Sequence, residues 1–360
     1  MDFALSEEQR MLVQSVSGFL RSASSLEVVR AAAASEEPCD TALTQGLVEL
    51  GIPGLLIEED FGGVGLGMLE AALVAEALGA TAAPCGFTAS AVMAPLMLRL
   101  GGSDAQRGEW LPLLATGAAT IGVGVTERIG RRDSRGISAS GDRLSGSAMF
   151  VLDGLDATAL IIADDTGRLY LVEPGEVQQT RLQSIDRTRS LSRVELSGAP
   201  AHLLPGSANS QEPLKTAIDA GRIALAADTL GAAQKMLDDA VSYAKERRQF
   251  NRVIGSFQAV KHMCAEMAAE LEPCRSLVWY AAHAMSMAPD EARAMACHAK
   301  AHLGEVGRFV ARTSTEVHGG MGMTDLLGLH YWFKRIGLNR QLLGSPELVR
   351  EEAAAVQGWI

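Results

Sequence analysis

The sequence predicts an α+β multidomain protein in three parts: an N-terminal α-helical domain over 1–116, a middle β-sandwich or barrel over 117–210, and a C-terminal four-helix bundle over 211–360. Three observations predict it. The first third carries apolar residues at three- and four-residue spacing, the middle third breaks into short apolar runs punctuated by turn residues, and the chain after Pro213 is helical with few interruptions. A chain of 360 residues, 48% apolar and 21% charged, has room for two or three domains with a sizeable core and is too apolar for disorder.

In the first part, Ser6-Glu7-Glu8-Gln9 has the pattern of a capping box, and Leu12, Val16, Phe19 and Leu20 follow on one helical face. Further periodic stretches run near 41–50, 68–79, 88–100 and 104–115. Between Gly51 and Gly67 the glycines and Pro53 predict an ordered loop. Ala77 to Leu98 holds no formal charge and is long enough to cross a bilayer, but Gly79, Pro84, Gly86 and Pro95 divide it, so buried core is expected rather than a membrane span.

In the middle part, Gly141-Asp142, Asp153-Gly154 and Asp165-Thr166-Gly167 separate the runs Ala159 to Ala163 and Leu169 to Val172, and Ser192 to Leu196 alternates at period two. In the last part, Pro213 suits a first helical position and opens a helix of roughly 35 residues, with two more near 256–287 and 290–317, the last stopped by Gly319-Gly320, and two shorter ones behind.

Charge excludes several function classes. The net charge is −11, but residues 1–110 hold −10 of it, 111–210 hold −1, and 211–360 are balanced. No third is net basic, so neither nucleic acid nor an anionic membrane surface is an expected partner. No basic stretch followed by an apolar run opens the chain, so no secretory leader is expected. Five cysteines without a CxxC pair read as small buried hydrophobes in a reducing cytoplasm. His298 and His302 have metal-compatible spacing, but no carboxylate base lies between them, and Gly63-Val64-Gly65-Leu66-Gly67 follows an acidic loop rather than a strand. No GxSxG elbow or Walker loop occurs, so hydrolase, kinase and nicotinamide-enzyme readings fail.

The most informative stretch crosses from one long helix to the next and concentrates Lys245, Arg247, Arg248 and Arg252 with Gln249 and Phe250. Cations at a helix C-terminus complement the dipole, so a solvated helix end is one reading. An anion site, with guanidinium forks on phosphate, is the other. The turn His318-Gly319-Gly320-Met321-Gly322 is either a helix cap or a place for close ligand approach.

At this point the chain resembles the acyl-CoA dehydrogenase family along its whole length. The resemblance rests on Met1-Asp2-Phe3 with Glu7-Glu8-Gln9, on Gly54 to Gly63, and on Val125-Thr126-Glu127. It rests further on Lys245 to Phe250, on Gly255-Ser256-Phe257-Gln258, and on Val317 to Gly322. Membership implies a flavoprotein that oxidises an acyl-CoA thioester at Cα–Cβ and passes electrons to an electron-transfer flavoprotein. A carboxylate takes the α-proton as the β-hydrogen leaves as hydride to FAD, and each FAD lies between two subunits.

Carried over by position, the resemblance implies FAD contacts at Arg247, Gln249, Phe250, Gln258, Gly319, Gly320 and Gly322, all serving the neighbouring subunit's cofactor, and at Thr126 toward the chain's own flavin. Glu316 stands where the family has a neutral residue and needs Arg248 or Arg312 to offset it. Asp219 and Arg222 are expected on the substrate side. The flavin-facing half is eroded: Arg132 replaces a flavin-contacting serine beside the retained Asp133, and Phe150-Val151-Leu152 replaces the triplet that packs the ring system. Both positions where the family carries its base, Gly221 and Leu343, lack a carboxylate. Glu347, one helical turn further, is the nearest substitute.

Two classes of function follow. One is a self-sufficient homo-oligomeric dehydrogenase with an unusual base, with an oxidase as its variant. The other is a base-less or purely structural subunit of a heteromeric dehydrogenase, of the kind that resembles bacterial enzymes for steroid side-chain thioesters. The half that serves the neighbour is kept and the half that serves the chain itself is lost, a sorting not expected of random decay, so the second is favoured.

Overall fold

A computed structural model describes residues 4–35, 40–129 and 136–360. The helical N-terminal part contains α1 (Glu7–Ala23), α2 (Leu26–Ala34), α3 (Thr41–Glu49), α4 (Met68–Ala80), α5 (Ala94–Gly101) and α6 (Asp104–Ala115). Ser6 caps α1 with both hydrogen bonds of the capping box, its Oγ accepting from the Gln9 amide and the Gln9 side chain accepting from the Ser6 amide. The short α2 was not among the expected elements; Ser25 caps it by accepting from the Val28 amide. The expected helix over 88–100 begins instead as a π-helical turn, Thr88–Met93, before α5. Pro95, with no N–H and a ring that needs room over the preceding turn, accounts for the widened start. Two short 3₁₀ turns order the glycine-rich loop before α4. Among the described residues no helix is long and apolar enough to cross a membrane.

The middle part supplies β1 (Ile121–Gly124), β2 (Ile137–Ser140), β3 (Arg143–Leu152), β4 (Ala159–Ala163), β5 (Leu169–Val172), β6 (Gln178–Arg181), β7 (Leu191–Pro200) and β8 (His202–Leu203). They form one mixed sheet in the order β6-β7-β3-β1-β4-β5-β8, with β2 on β3 and only β1–β4 parallel. One face gathers Leu144, Ala148, Leu160, Ile162, Tyr170 and Val194 from both halves of the sheet into a core of its own. Gly122 lets that core close, since a side chain there would sit 2.5 Å from Gly154 Cα and 2.8 Å from Leu160 Cδ2. The other face, through Ile121, Val123, Ile161 and Leu171, packs on the helices.

The last part consists of α7 (Glu212–Glu246, 35 residues), the short hairpin β9 (Arg248–Gln249) and β10 (Arg252–Val253), then α8 (Gln258–Met287), α9 (Pro289–His318), α10 (Leu329–Gln341) and α11 (Pro346–Val356). Long helix α7 also carries the N-terminal domain. Gly79 on α4 and Gly231 on α7 allow backbone-to-backbone approach: a Cβ at Gly79 would lie 1.9 Å from the Asp228 carbonyl oxygen, and one at Gly231 1.8 Å from that of Glu76.

All three parts meet on Arg335 of α10, 1% exposed. Its guanidinium donates to Asp186 Oδ2 (3.1 Å) and Thr188 Oγ1 (2.6 Å) of the middle domain, to Asp228 Oδ2 of α7 (3.2 Å), and to the carbonyls of Ala82 and Ala83 (3.3 and 3.0 Å). Cys85, Cys274 and Cys297 are buried, and burial pushes the thiols of the latter two up to about 11. Cys264 is half-buried; Cys39 lies outside the described residues.

Candidate flavin and substrate site

The two positions expected to carry a base meet at one point. Gly221 lies in the first third of α7, and a Cβ placed on it would stand 2.6 Å from Leu343 Cδ1 and 2.8 Å from Met93 Sδ. Leu343, 3% exposed, ends the turn after α10 with φ of +55°, so its side chain is delivered onto the helix. The space beside Gly221 is therefore filled with carbon and sulfur, and no carboxylate stands at either position. Met93 is a site residue that sequence reasoning missed; it comes from the π-helical turn, and nothing local in the sequence ties it to Gly221.

Glu347 does not make up the loss. It starts α11, accepts from Arg340 (2.9 Å), and its side chain is 66% exposed. Hydrogen bonds from its own backbone amide and the Ser345 hydroxyl, with Arg340 alongside, hold its carboxyl down at about 2. A group so acidic and so wet is a poor proton acceptor at neutral pH.

Asp219 and Arg222, expected on the substrate side, lie in an internal network. Arg222 is 1% exposed and donates from Nε to the Leu343 carbonyl (3.0 Å) and from Nη2 to Glu352 (2.7 Å). Asp219 faces Arg293 (3.2 Å) and Arg222 (3.6 Å), and Arg293 also pairs with Glu352. Burial outweighs both cations and raises the Asp219 carboxyl to about 6. The network fixes the turn that delivers Leu343 and leaves Arg222 fully engaged. Lys300 supports the same turn, its ammonium donating to the carbonyls of Gly344 (2.9 Å) and Arg340 (3.1 Å); burial, then the charges of Arg222 and Arg340, push it down to about 7.

At the other end of α7 the arrangement is open. Arg247, Arg248, Gln249 and Phe250 are exposed, Phe250 by 85%, and no ion pair engages the two arginines among the described residues. Arg252 stacks over Phe257 at 3.9 Å, with Phe250 edge-on to the same ring. Gln258 opens α8, its side chain 3.0 Å from His262. The ring of Tyr243 on α7 packs against His318 on α9 (centroids 4.7 Å apart), which brings the glycine turn to the same end of the bundle. A side chain at Gly319 or Gly320 would touch nothing within 4 Å, whereas one at Gly322 would meet the Thr315 carbonyl at 2.8 Å. Arg312 Nε lies 3.0 Å from Glu316, so the extra negative charge is locally offset. Free guanidinium groups, an exposed aromatic ring and open backbone fit a diphosphate with an adenosine.

The residues expected to face the chain's own flavin make contacts within the chain. Thr126 Oγ1 donates to the Phe150 carbonyl (3.4 Å), Glu127 accepts from the Met149 amide (2.7 Å), and Leu152 is buried. Arg132 and Asp133 lie outside the described residues.

Residues 6–118 match the family described as acyl-CoA dehydrogenase, N-terminal domain, and residues 213–357 match acyl-CoA dehydrogenase, C-terminal domain. The acyl-CoA dehydrogenase IpdE2 of Mycolicibacterium smegmatis is 31% identical over 97% of this chain and 99% of its own. This chain belongs to the acyl-CoA dehydrogenase family. Among solved structures, the ChsE4–ChsE5 complex from Mycobacterium tuberculosis aligns with a TM-score of 0.90 at 27% identity, covering 100% of both chains. A variant of the Tcur3481–Tcur3483 steroid ACAD aligns with a TM-score of 0.88 at 28% identity over 98% of both. Within an acyl-CoA dehydrogenase fold, then, this chain packs Leu343 and Met93 beside Gly221 and keeps an open basic edge at the far end of α7.

Proposed function

We propose that this chain is the base-less partner subunit of a heteromeric, FAD-dependent acyl-CoA dehydrogenase, acting in the cytoplasm on a bulky, steroid-type acyl-CoA and delivering electrons to an electron-transfer flavoprotein. The observation that carries the reading is the contact of Leu343 and Met93 with Gly221, which fills the place of the base in carbon and sulfur. The open edge at Arg247 to Phe250 supports it, as does the two-chain make-up of both similar structures named above.

Bound FAD would supply the two-electron acceptor. This chain's contribution is to hold it: Arg247 and Arg248 to neutralise the diphosphate, Gln249 and Gln258 to hydrogen-bond, Phe250 to cover an aromatic face, and Gly319, Gly320 and Gly322 to admit the cofactor close to the backbone. The companion chain then provides the flavin-facing contacts and the carboxylate. Asp219, Arg222, Arg293 and Glu352 hold the Leu343 turn rather than move a proton.

The test is expression of the chain alone and with its companion, followed by measurement of bound FAD by absorbance and acyl-CoA oxidation with a dye acceptor. Flavin and turnover are expected from the complex only. Stoichiometric FAD and turnover from this chain alone would overturn the reading. In the complex, Arg247→Ala removes charge-assisted hydrogen bonds of about 1.5–3 kcal/mol, so FAD should bind roughly 10- to 150-fold more weakly; unchanged retention would refute the assignment of this residue.

A further inference from the structure

A cavity of about 390 Å³ lies between α3, the loop Cys85–Phe87 and the edge of the sheet, where Ala119 and Thr120 enter β1 and Asp153 to Asp156 leave β3. It is separate from the Gly221 site. Neither Gly221, Leu343 nor Met93 lines it, and it opens at the Thr120 end of β1, whereas Thr126 follows the other end of this four-residue strand, itself about 13 Å long. Its walls are largely apolar, with Leu47, Val48, Ile52 and Phe87. A volume of this order suits a small organic ligand.

The polar groups narrow the ligand. Two carboxylates, Asp153 and Asp156, line the cavity, and no lysine or arginine does. The phosphates of a CoA or a dinucleotide would be repelled there, so this is no extension of the acyl-CoA or FAD sites. Asp153 Oδ2 accepts from the Ala89 amide (3.2 Å), and burial raises the carboxyl to about 6, leaving it mostly ionised at neutral pH. Ser190 also lines the cavity; it is 4% exposed, and its Oγ has no hydrogen-bond partner among the described residues. The Asp153 amide donates to the Ser190 carbonyl (3.0 Å), so the two side chains spring from bonded neighbours. A buried hydroxyl left unpaired is costly, and a ligand that pairs it recovers that cost.

We propose that this cavity binds a compact, uncharged apolar molecule bearing a hydroxyl group. The ligand hydroxyl donates to the Asp153 carboxylate and accepts from Ser190, while its apolar body fills the space against Ile52 and Phe87. A hydrocarbon of the same shape satisfies neither group, and a carboxylate of the same shape meets Asp153 with like charge. The site stands on its own residues and does not depend on how the subunit reading is resolved.

Titration calorimetry of the full chain with 4-propylphenol, propylbenzene and 4-propylbenzoate tests it. Saturable binding of one 4-propylphenol per chain is expected, with propylbenzene at least about tenfold weaker and no binding of 4-propylbenzoate. Asp153→Asn should weaken 4-propylphenol about tenfold. Thr44→Trp, at an exposed lining position on α3, should abolish binding while circular dichroism stays native. Absence of saturable phenol binding, equal or tighter binding of the benzoate, or unchanged affinity in Thr44→Trp would overturn the proposal.

Discussion

Replacing Gly231 by alanine sets two physical effects of opposite sign against each other. Gly231 lies inside a 35-residue helix, where an alanine by propensity alone gains about 1 kcal/mol. The new Cβ, however, would stand 1.8 Å from the Glu76 carbonyl oxygen and 2.9 Å from the Ala80 nitrogen, both backbone atoms of α4. A carbon–oxygen contact requires about 3.3 Å, so α4 would have to retreat by about 1.5 Å. No side-chain rotation relieves it, and overpacking against fixed backbone costs about 2–3 kcal/mol. The net expectation is a loss of about 1–2 kcal/mol. At about 2 °C per kcal/mol for a large domain, the melting temperature falls by about 2–4 °C. Thermal melting followed by circular dichroism measures it, with Gly108→Ala as the control, since a Cβ at Gly108 on α6 meets nothing within 4 Å. The control should melt at the same temperature or up to about 2 °C higher. A rise in melting temperature for both variants would refute the backbone-contact argument.

Arg335→Met should be among the most damaging single changes, since it leaves Asp186 buried without an ion-pair partner among the described residues and Asp228 with Arg189 alone; about 3–5 kcal/mol is expected in urea denaturation, and a loss below 1 kcal/mol would count against the hub. Lys300 gives a pH signature. Its folded value of about 7 lies below the ordinary 10.5, so between those limits the unfolded chain binds the extra proton and stability rises with pH. The melting temperature of the wild type relative to Lys300→Met should therefore increase from pH 7 to pH 9.5, and a flat or falling difference would contradict the buried amine.

Much of the architecture is readable in the chain because it is written locally. Ser6 and Gln9 announce α1, and Pro213 and the glycines at 319–320 bracket the long helices within a residue or two. The helix α2 escaped because its Ser25 cap opens a run closing in four alanines, with little apolar stripe to notice. That neither Gly221 nor Leu343 is a carboxylate was also legible, as two residue identities. What stands beside Gly221 was not, because Met93, Gly221 and Leu343 come together only through tertiary packing. The same holds for the engagement of Asp219 and Arg222: their identities fit a substrate-side role, but Arg293 and Glu352, brought from α9 and α11, determine what they touch.

The guanidinium of Arg335 has a consequence for how the chain comes apart. Sequence divides it near 116 and 210, but the hydrogen bonds of one side chain cross both boundaries, and Arg189 of the middle domain adds a second cation to Asp228 of α7 at 3.0 Å. Cutting at either boundary would expose a half-finished interior rather than release a free-standing unit. Limited proteolysis should accordingly give an all-or-none pattern, intact chain beside small peptides, with no long-lived fragment of one domain's length. Loosening any one of the three segments is then felt at once by the other two.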